Sequence, residues 1–186
     1  MDHVFKIVSM IKEEIDPGIV TVLGGVHPTA LPEETVSNRF VDFIVAGEGE
    51  VTFYELVKKI IDGQKDFETI DGLYFKKDGQ IIANKPRSLI TDLNEIPFPA
   101  RDLFDLKLYS SALTKKVSDQ PDGTILTSRG CAYDCIHCTS RTIWGRNLRF
   151  RSTGNVIAEM EECIKKFGIR EFNVLDDTFT LNQPRA

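Results

Sequence analysis

Short apolar runs that end in glycine turns are the feature of this sequence that most constrains its fold. The run IVTVL (19–23) stops at Gly24-Gly25, and the run DFIVA (42–46) stops at Gly47-Glu48-Gly49. Both runs have the length and the β-branched content of a buried strand, and segments with helical periodicity lie around them. This alternation predicts an α/β fold with a parallel sheet. The glycine turns would then lie at the carboxyl ends of strands, where open α/β sheets bind ligands.

Three segments in this part of the chain carry helical periodicity. Residues 1–15 place apolar side chains at i, i+3, i+4 and i+7, and a second helix is expected to begin near Pro32. In the third segment, Thr52 and Glu55 have the spacing of a capping box, and Gly63 is placed to end the helix. The predicted buried stripe of this third helix consists of Phe53, Leu56, Val57, Ile60 and Ile61.

The pattern changes after residue 70 and then returns. An Asp-Gly pair divides LYFKKDGQIIA (73–83) into two β-prone arms, which predicts a hairpin. Residues 84–101 contain three prolines and little periodicity, so a surface linker is expected, followed by a short helix within 102–108. The strand–helix alternation then resumes, and the predicted elements are a strand TILTS (124–128), a helix over 156–167 that Gly168 ends, and a strand EFNVLD (171–176).

Three of the four cysteines lie within SRGCAYDCIHCTSR (128–141), at the spacing CxxxCxxC directly after a predicted strand. A loop this short lets three thiolates converge on one site, but a structural zinc site normally has four ligands. His137 as a fourth ligand would be strained by its bound neighbour Cys138. Cys163 falls near the apolar stripe of its predicted helix, where a core position is expected. A 4Fe–4S cluster held by three cysteines leaves one iron open to a substrate or cofactor.

Composition narrows the function and the compartment. The net charge of −5 and the pI near 5.3 argue against a nucleic-acid-binding surface. The one basic stretch is local and directly follows the cysteines, with Arg141, Arg146, Arg149 and Arg151. No apolar run approaches the ~18–20 residues of a transmembrane segment. The N-terminus lacks the basic-then-apolar pattern of a signal peptide, so a cytoplasmic protein is expected. In a reducing cytosol, a disulfide among the clustered cysteines is disfavoured.

The cysteine loop resembles that of the radical S-adenosylmethionine superfamily, in which CxxxCxxC follows the first strand of an α/β barrel. Further segments resemble the subfamily in which a cobalamin-binding domain precedes the radical domain. These segments are GGVHPTALPEE (24–34), VAGEGEVTFYELV (45–57), WGRNLRFRS (144–152) and DDTFTLN (176–182). The resemblance implies a partial Rossmann-like cobalamin-binding domain over 1–70, a hairpin and linker over 71–122, and the start of a TIM-type barrel over 123–186.

The resemblance also implies roles for individual residues. The expected cluster ligands are Cys131, Cys135 and Cys138. His137 stands where the superfamily commonly has an aromatic residue that contacts adenine. The residues expected near the methionine amino group of S-adenosylmethionine are Asp176, Asp177 and Thr180, with a helix N-cap as the alternative role for either aspartate. The residues expected to line cobalamin are Gly24, Gly25, His27, Gly47, Glu48 and Gly49.

The implied activity is reductive cleavage of S-adenosylmethionine, followed by methyl transfer from methylcobalamin to an unactivated carbon of a small-molecule substrate, or by a cyclisation. The cofactors carry this chemistry, so no side chain is assigned a catalytic role. The electron would come from a donor such as flavodoxin or ferredoxin. The family's two domains contain further strand–helix units, so we expect an internal fragment that is inactive alone. The alternative is a non-catalytic module that binds zinc or a nucleotide, which would not need the acidic segment DDTFTLN.

Overall fold

The computed structural model describes residues 1–108 and 122–185, and these form a mixed α/β protein, as predicted. The described residues divide into two compact units. The first comprises residues 1–90 together with 134–145, and the second contains the rest of the described chain. The helices of the described ranges all fall short of the length and apolar content that crossing a bilayer requires. The stretch 109–121 of the predicted hairpin-and-linker region lies outside the described residues.

The first unit is built around one mixed sheet. Its elements are α1 (Asp2–Met10), which continues as a π-helical turn (Ile11–Ile15), β1 (Val22–Gly24), α2 (Val26–Ala30), α3 (Pro32–Ser37), β2 (Phe43–Val45), α4 (Gly49–Ile61), β3 (Leu73–Lys77), β4 (Gln80–Ala83) and α5 (Ser140–Trp144). The strand order is β1-β2-β3-β4, with β1 and β2 parallel and the other pairs antiparallel. The parallel pair and the hairpin are therefore confirmed. The hairpin also extends the same sheet, which the local pattern did not predict.

Strand β2 is a central strand of this sheet and is buried on both of its faces. Phe43 and Val45 pack into one core with residues of α4 and β3, whereas Ile44 points to the opposite face and packs with Val8 and Val36. A strand buried on both faces satisfies its backbone groups best when both of its edges are paired. The antiparallel partner β3 supplies the second edge.

The predicted capping box of the third helix is wrong. Helix α4 begins earlier, with Glu48 at the N-cap position, so Thr52 lies inside the first turns and is fully buried. The Thr52 hydroxyl donates a hydrogen bond to the Asp71 carbonyl (2.8 Å), and Glu55 forms an ion pair with Arg87. Both side chains therefore have partners in the region after the helix instead of capping its start.

The predicted buried stripe of the third helix also differs from the structure. Phe53 and Ile61 are 49% and 78% exposed, so the buried face of α4 is centred on Thr52 and Leu56 instead. Pro28 is buried within the short helix α2. Proline is compatible with the first turn of a helix, because the N–H that it lacks has no partner there.

The second unit contains the start of the second α/β segment. Its elements are β5 (Asp122–Ile125), β6 (Ser128–Arg129), β7 (Arg149–Phe150), α6 (Thr153–Phe167) and β8 (Glu171–Val174). Strands β5 and β8 are parallel neighbours, and β6 pairs with β7 in an antiparallel manner. Gly168 ends α6 with φ +68°, as predicted, and Cys163 is buried in that helix. In place of one helix within 102–108, two single 3-10 turns occur at Arg101–Leu103 and Leu106–Leu108.

Candidate cofactor site

The cysteine loop leaves β6 through a glycine that no other residue could replace without strain. Gly130 has φ +99°, and a Cβ atom added there would overlap the carbonyl group of Asn147. Cys131 follows it and is half-buried, with its Sγ atom 3.8 Å from the Thr178 hydroxyl. The backbone at Gly130 is therefore required for the turn that places the first predicted ligand.

The other two predicted ligands lie in a tight turn ahead of α5. Cys135 and Cys138 are exposed, and the Cys138 N–H donates a hydrogen bond to the Cys135 carbonyl (3.1 Å). Arg141, in the first turn of α5, forms an ion pair with Asp134. His137 is exposed between the two cysteines. All of these thiols are free, and thus available to a metal.

The fourth cysteine has a different environment. Cys163 is 1% exposed inside α6, and burial raises the pKa of its thiol. A thiol that is hard to ionise is a poor metal ligand and a poor nucleophile. Across the described residues, no three side chains of His, Cys, Asp or Glu are grouped so that they could hold a metal ion. Cluster ligation by the three loop cysteines therefore stays a prediction.

Asp176, at the end of β8, is held by the residues that precede the cysteine loop. Its Oδ1 accepts hydrogen bonds from the Thr127 N–H (2.6 Å) and the Ser128 N–H (3.1 Å). Its Oδ2 accepts from the Thr127 hydroxyl (2.5 Å) and the Ser128 hydroxyl (2.6 Å). Asp177 and Thr180, the other residues predicted near S-adenosylmethionine, are exposed.

The glycine turns after β1 and β2 leave open space at the carboxyl ends of two parallel strands. Gly25 has φ +93° and Gly47 has φ +77°, and a Cβ atom on either would contact none of the described atoms within 4 Å. The Gly47 N–H donates a hydrogen bond to the Thr29 hydroxyl (3.0 Å), which ties the second turn to α2. At these two turns no side chain covers the backbone, so a ligand can approach it closely.

The remaining predicted cobalamin-binding residues have contacts within the first unit. A Cβ atom on Gly24 would lie 3.3 Å from the Val45 carbonyl oxygen, so this glycine allows β1 and β2 to pack closely. Glu48 is buried, and its carboxylate accepts a hydrogen bond from the Ile90 N–H (2.7 Å). Gly49 is the first residue of α4. These three residues shape the turns around the open space.

His27 differs from its neighbours because one of its ring nitrogens lacks a partner. Its Nε2 atom is buried and makes no hydrogen bond with the described residues. A buried polar atom without a partner costs about 1–3 kcal/mol, so such an atom calls for an explanation. A hydrogen bond to a bound group would satisfy it.

Three polar residues near the cysteine loop and one buried carboxylate were not predicted from the sequence pattern. Thr127, Ser128 and Thr178 contact Asp176 or Cys131. Thr127 and Ser128 were predicted as the end of a strand over 124–128, but the structure divides that segment into β5 and β6, which frees them to bind Asp176. Glu159, 2% exposed on α6, forms ion pairs with Arg101 and Arg151. Arg151 belongs to the basic stretch after the cysteines, and its charge neutralises this buried glutamate together with that of Arg101.

Comparisons with known proteins bear on both regions. Residues 1–57 match the B12 binding domain family. The chain is 38% identical over 180 residues to an uncharacterized methyltransferase of Pyrococcus horikoshii, covering 96% of this chain and 38% of that protein. It is 33% identical to the anaerobic magnesium-protoporphyrin IX monomethyl ester cyclase of Synechocystis, covering 90% of this chain and 32% of that protein.

A solved structure extends the comparison to the fold. The radical S-adenosylmethionine methyltransferase TsrM of Kitasatospora setae, with cobalamin and a 4Fe–4S cluster bound, has a TM-score of 0.70 and 24% identity. The match covers 99% of this chain and 35% of that protein. The chain thus spans about a third of the length of these three proteins.

Proposed function

We propose that this chain, which resembles the cobalamin-dependent radical S-adenosylmethionine enzymes in sequence and in fold, carries the cluster loop and part of the cobalamin site of such an enzyme. On this proposal, residues 1–70 are part of a Rossmann-like cobalamin-binding domain, and 123–186 are the start of a TIM-type barrel. The hairpin and linker over 71–122 connect them.

The observation that carries the proposal is the set of three free thiols on one loop, while the fourth cysteine is buried in a helix. Cys131, Cys135 and Cys138 are free and at least partly exposed, while Cys163 is enclosed in α6. This donor set fits a cluster with three protein ligands and one open iron, and does not fit a closed zinc site. Metal sites of this kind are assembled when the metal binds, which draws the ligands together. A bound cluster would supply the electron that cleaves S-adenosylmethionine.

Three residues are proposed to contact S-adenosylmethionine. Asp177 and Thr180 are exposed in the segment that follows β8, where Thr178 also contacts Cys131. A carboxylate there would form a charge-assisted hydrogen bond with the ammonium group of the methionine moiety. His137, exposed between two cluster ligands, is proposed to contact the adenine.

The glycine turns and His27 support cobalamin as the second cofactor. The family match over residues 1–57 includes Gly25, His27 and Gly47. The open space at Gly25 and Gly47 lets the backbone approach a large planar ligand, and the buried Nε2 of His27 has a hydrogen bond still to make. These features fit a group with many amide side chains, as cobalamin has.

The proposed reaction is methyl transfer to an unactivated carbon of a small-molecule substrate, or a cyclisation. The names of the similar proteins include both a methyltransferase and a cyclase. The proposed electron donor is a small redox protein such as flavodoxin or ferredoxin, in the cytoplasm.

Anaerobic reconstitution with iron and sulfide tests the cluster. Wild-type protein should become brown and bind about four irons per chain, as expected for a 4Fe–4S cluster. Cys135→Ser should lose most of this iron, whereas the matched control Cys163→Ser should keep it. Wild-type protein that binds stoichiometric zinc and no iron would contradict the proposal.

Cobalamin binding needs a separate measurement. His27→Ala should lower the affinity for hydroxocobalamin, measured by equilibrium dialysis, while leaving iron uptake unchanged. An exposed histidine outside the predicted site, His3, provides the control variant His3→Ala. Equal affinities in all three proteins would show that the Nε2 of His27 has no part in binding.

A further inference from the structure

The structure points to a second role for the segment after β8, in addition to contact with a cofactor. We propose that Asp176 is a positioning residue, which fixes the direction in which the chain leaves β5 and enters the cysteine loop. This inference rests on the proposed function, because it concerns how the loop is held ready for a cluster. It differs from the role that the family resemblance implied, in which Asp176 contacts S-adenosylmethionine.

Four hydrogen bonds to the Asp176 carboxylate come from two consecutive residues. Oδ1 accepts hydrogen bonds from the backbone N–H groups of Thr127 and Ser128, and Oδ2 accepts from their hydroxyls, at 2.5 to 3.1 Å. Thr127 and Ser128 are 3% and 4% exposed, so these hydrogen bonds are shielded from water. Hydrogen bonds to an ionised carboxylate are shorter and about twice as strong as those between neutral groups.

The sheet register explains why a carboxylate is needed at this point. The parallel ladder between β5 and β8 ends at the pair Ile125 and Val174, with one more hydrogen bond from the Leu175 N–H to the Ile125 carbonyl. Beyond it the strands no longer pair, and the buried N–H groups of Thr127 and Ser128 need other acceptors. Asp176 provides them and so continues the link between the two strand ends.

The residues that follow Thr127 connect this anchor to Cys131, the first predicted cluster ligand. Ser128 pairs with Phe150 in the β6–β7 ladder, so it is held on two sides. Gly130 then makes the turn with φ +99°, and Cys131 follows it directly. A hydroxyl two residues after Asp176, that of Thr178, lies 3.8 Å from the Cys131 sulfur. The segment that anchors the loop therefore also contacts the thiol at its start.

The test compares two neighbouring isosteric substitutions in the full-length protein. Asp176→Asn keeps the size of the side chain but removes its negative charge and replaces one acceptor oxygen with a donor NH₂. The two hydrogen bonds to that oxygen are then lost or must reverse direction, and the other two lose the strengthening that the charge provides. Asp177→Asn, in the same turn, is the matched control. Hydrogen exchange of the amides of residues 127–131 is measured before reconstitution, and iron content and the electron paramagnetic resonance signal are measured after it.

For Asp176→Asn, we expect the amides of 127–131 to exchange at least tenfold faster and the iron content to fall by half or more. The clusters that do form should still change their resonance signal when S-adenosylmethionine is added. Asp177→Asn should leave the exchange rates and the iron content unchanged, and its clusters should lose the response of the resonance signal to S-adenosylmethionine. Ser128→Ala should reproduce part of the faster exchange, and combining it with Asp176→Asn should add little further.

The outcomes separate the two proposals. Unchanged exchange in Asp176→Asn overturns the positioning role, and so does full iron content with a lost response to S-adenosylmethionine, because Asp176 would then bind the cofactor itself. Wild-type protein that takes up no iron, together with faster exchange in the variant, overturns the proposed function and leaves the anchoring of the loop intact. If Asp176→Asn does not fold, Ser128→Ala decides the question by the same exchange measurement.

Discussion

Replacing Glu159 by Gln should destabilise the second unit far more than a surface substitution would. Glu159 is 2% exposed and lies 2.5 Å from both the Arg101 and the Arg151 guanidinium nitrogens, whose side chains are 11% and 12% exposed. Glutamine removes the negative charge that both arginines share and leaves two largely buried cations without it. Breaking a buried ion pair by removing one partner costs about 3–5 kcal/mol.

The same helix provides the control. Glu161 is exposed and pairs with Lys165 one turn away, so Glu161→Gln should cause only a small change, because exposed pairs are screened by water. Replacing the whole group, with Arg101→Met, Glu159→Leu and Arg151→Met together, should be less damaging than Glu159→Gln alone. The triple variant removes the charges that the single variant leaves uncompensated.

Urea unfolding followed by circular dichroism measures the change in the free energy of unfolding, and hydrogen exchange of the α6 amides locates it. A loss below about 1 kcal/mol for Glu159→Gln would refute this reasoning, since it would match an exposed pair. A triple variant that loses more than the single variant would also refute it. In that case the ion pairs themselves would stabilise α6, and the loss in Glu159→Gln would not come from leaving two charges uncompensated.

Three other predictions follow from single sites. Gly130→Ala should lower the melting temperature and the iron uptake, because its Cβ would overlap the Asn147 carbonyl, while Gly154→Ala, which has open space in α6, should be neutral or stabilising by up to about 1 kcal/mol. Burial raises the pKa of the Cys163 thiol above its ordinary value of 9.0, so the unfolded chain loses this proton at a lower pH than the folded chain does. The free energy of unfolding should therefore fall as the pH rises past 9.0, and Cys163→Ala should weaken this fall in urea titrations. Thr178→Val should make the cluster midpoint potential more negative, because the hydroxyl would no longer donate to the Cys131 thiolate, whereas Thr178→Ser should keep the wild-type potential.

Local signals were sufficient for some elements and misleading for others. The end of α6 at Gly168 and the hairpin at Asp78-Gly79 were predicted correctly, because glycine conformations and turn chemistry act over a few residues. The capping box at Thr52 was wrong because the competing partners of that hydroxyl lie near residues 71 and 87. A pattern read along four residues contains no information about such partners.

The site shows the same division. The CxxxCxxC spacing and the glycine turns are visible in the sequence, since they depend on the residues themselves and on the conformations that only glycine adopts easily. The role of Asp176 is not visible, because its partners Thr127 and Ser128 are 49 and 48 residues away along the chain. The sequence shows a pair of aspartates after a strand but not which of them faces inward.

The sequence by itself determined the alternation of the longer strands and helices, the spacing of the three loop cysteines and the positions of the glycine turns. Only the tertiary structure decided that the hairpin joins the first sheet, that Glu159 binds two arginines, and that Asp176 holds the start of the cysteine loop. The physical reason is that periodicity and turn chemistry are local, whereas hydrogen-bond partners and ion pairs are chosen among residues that only folding brings together.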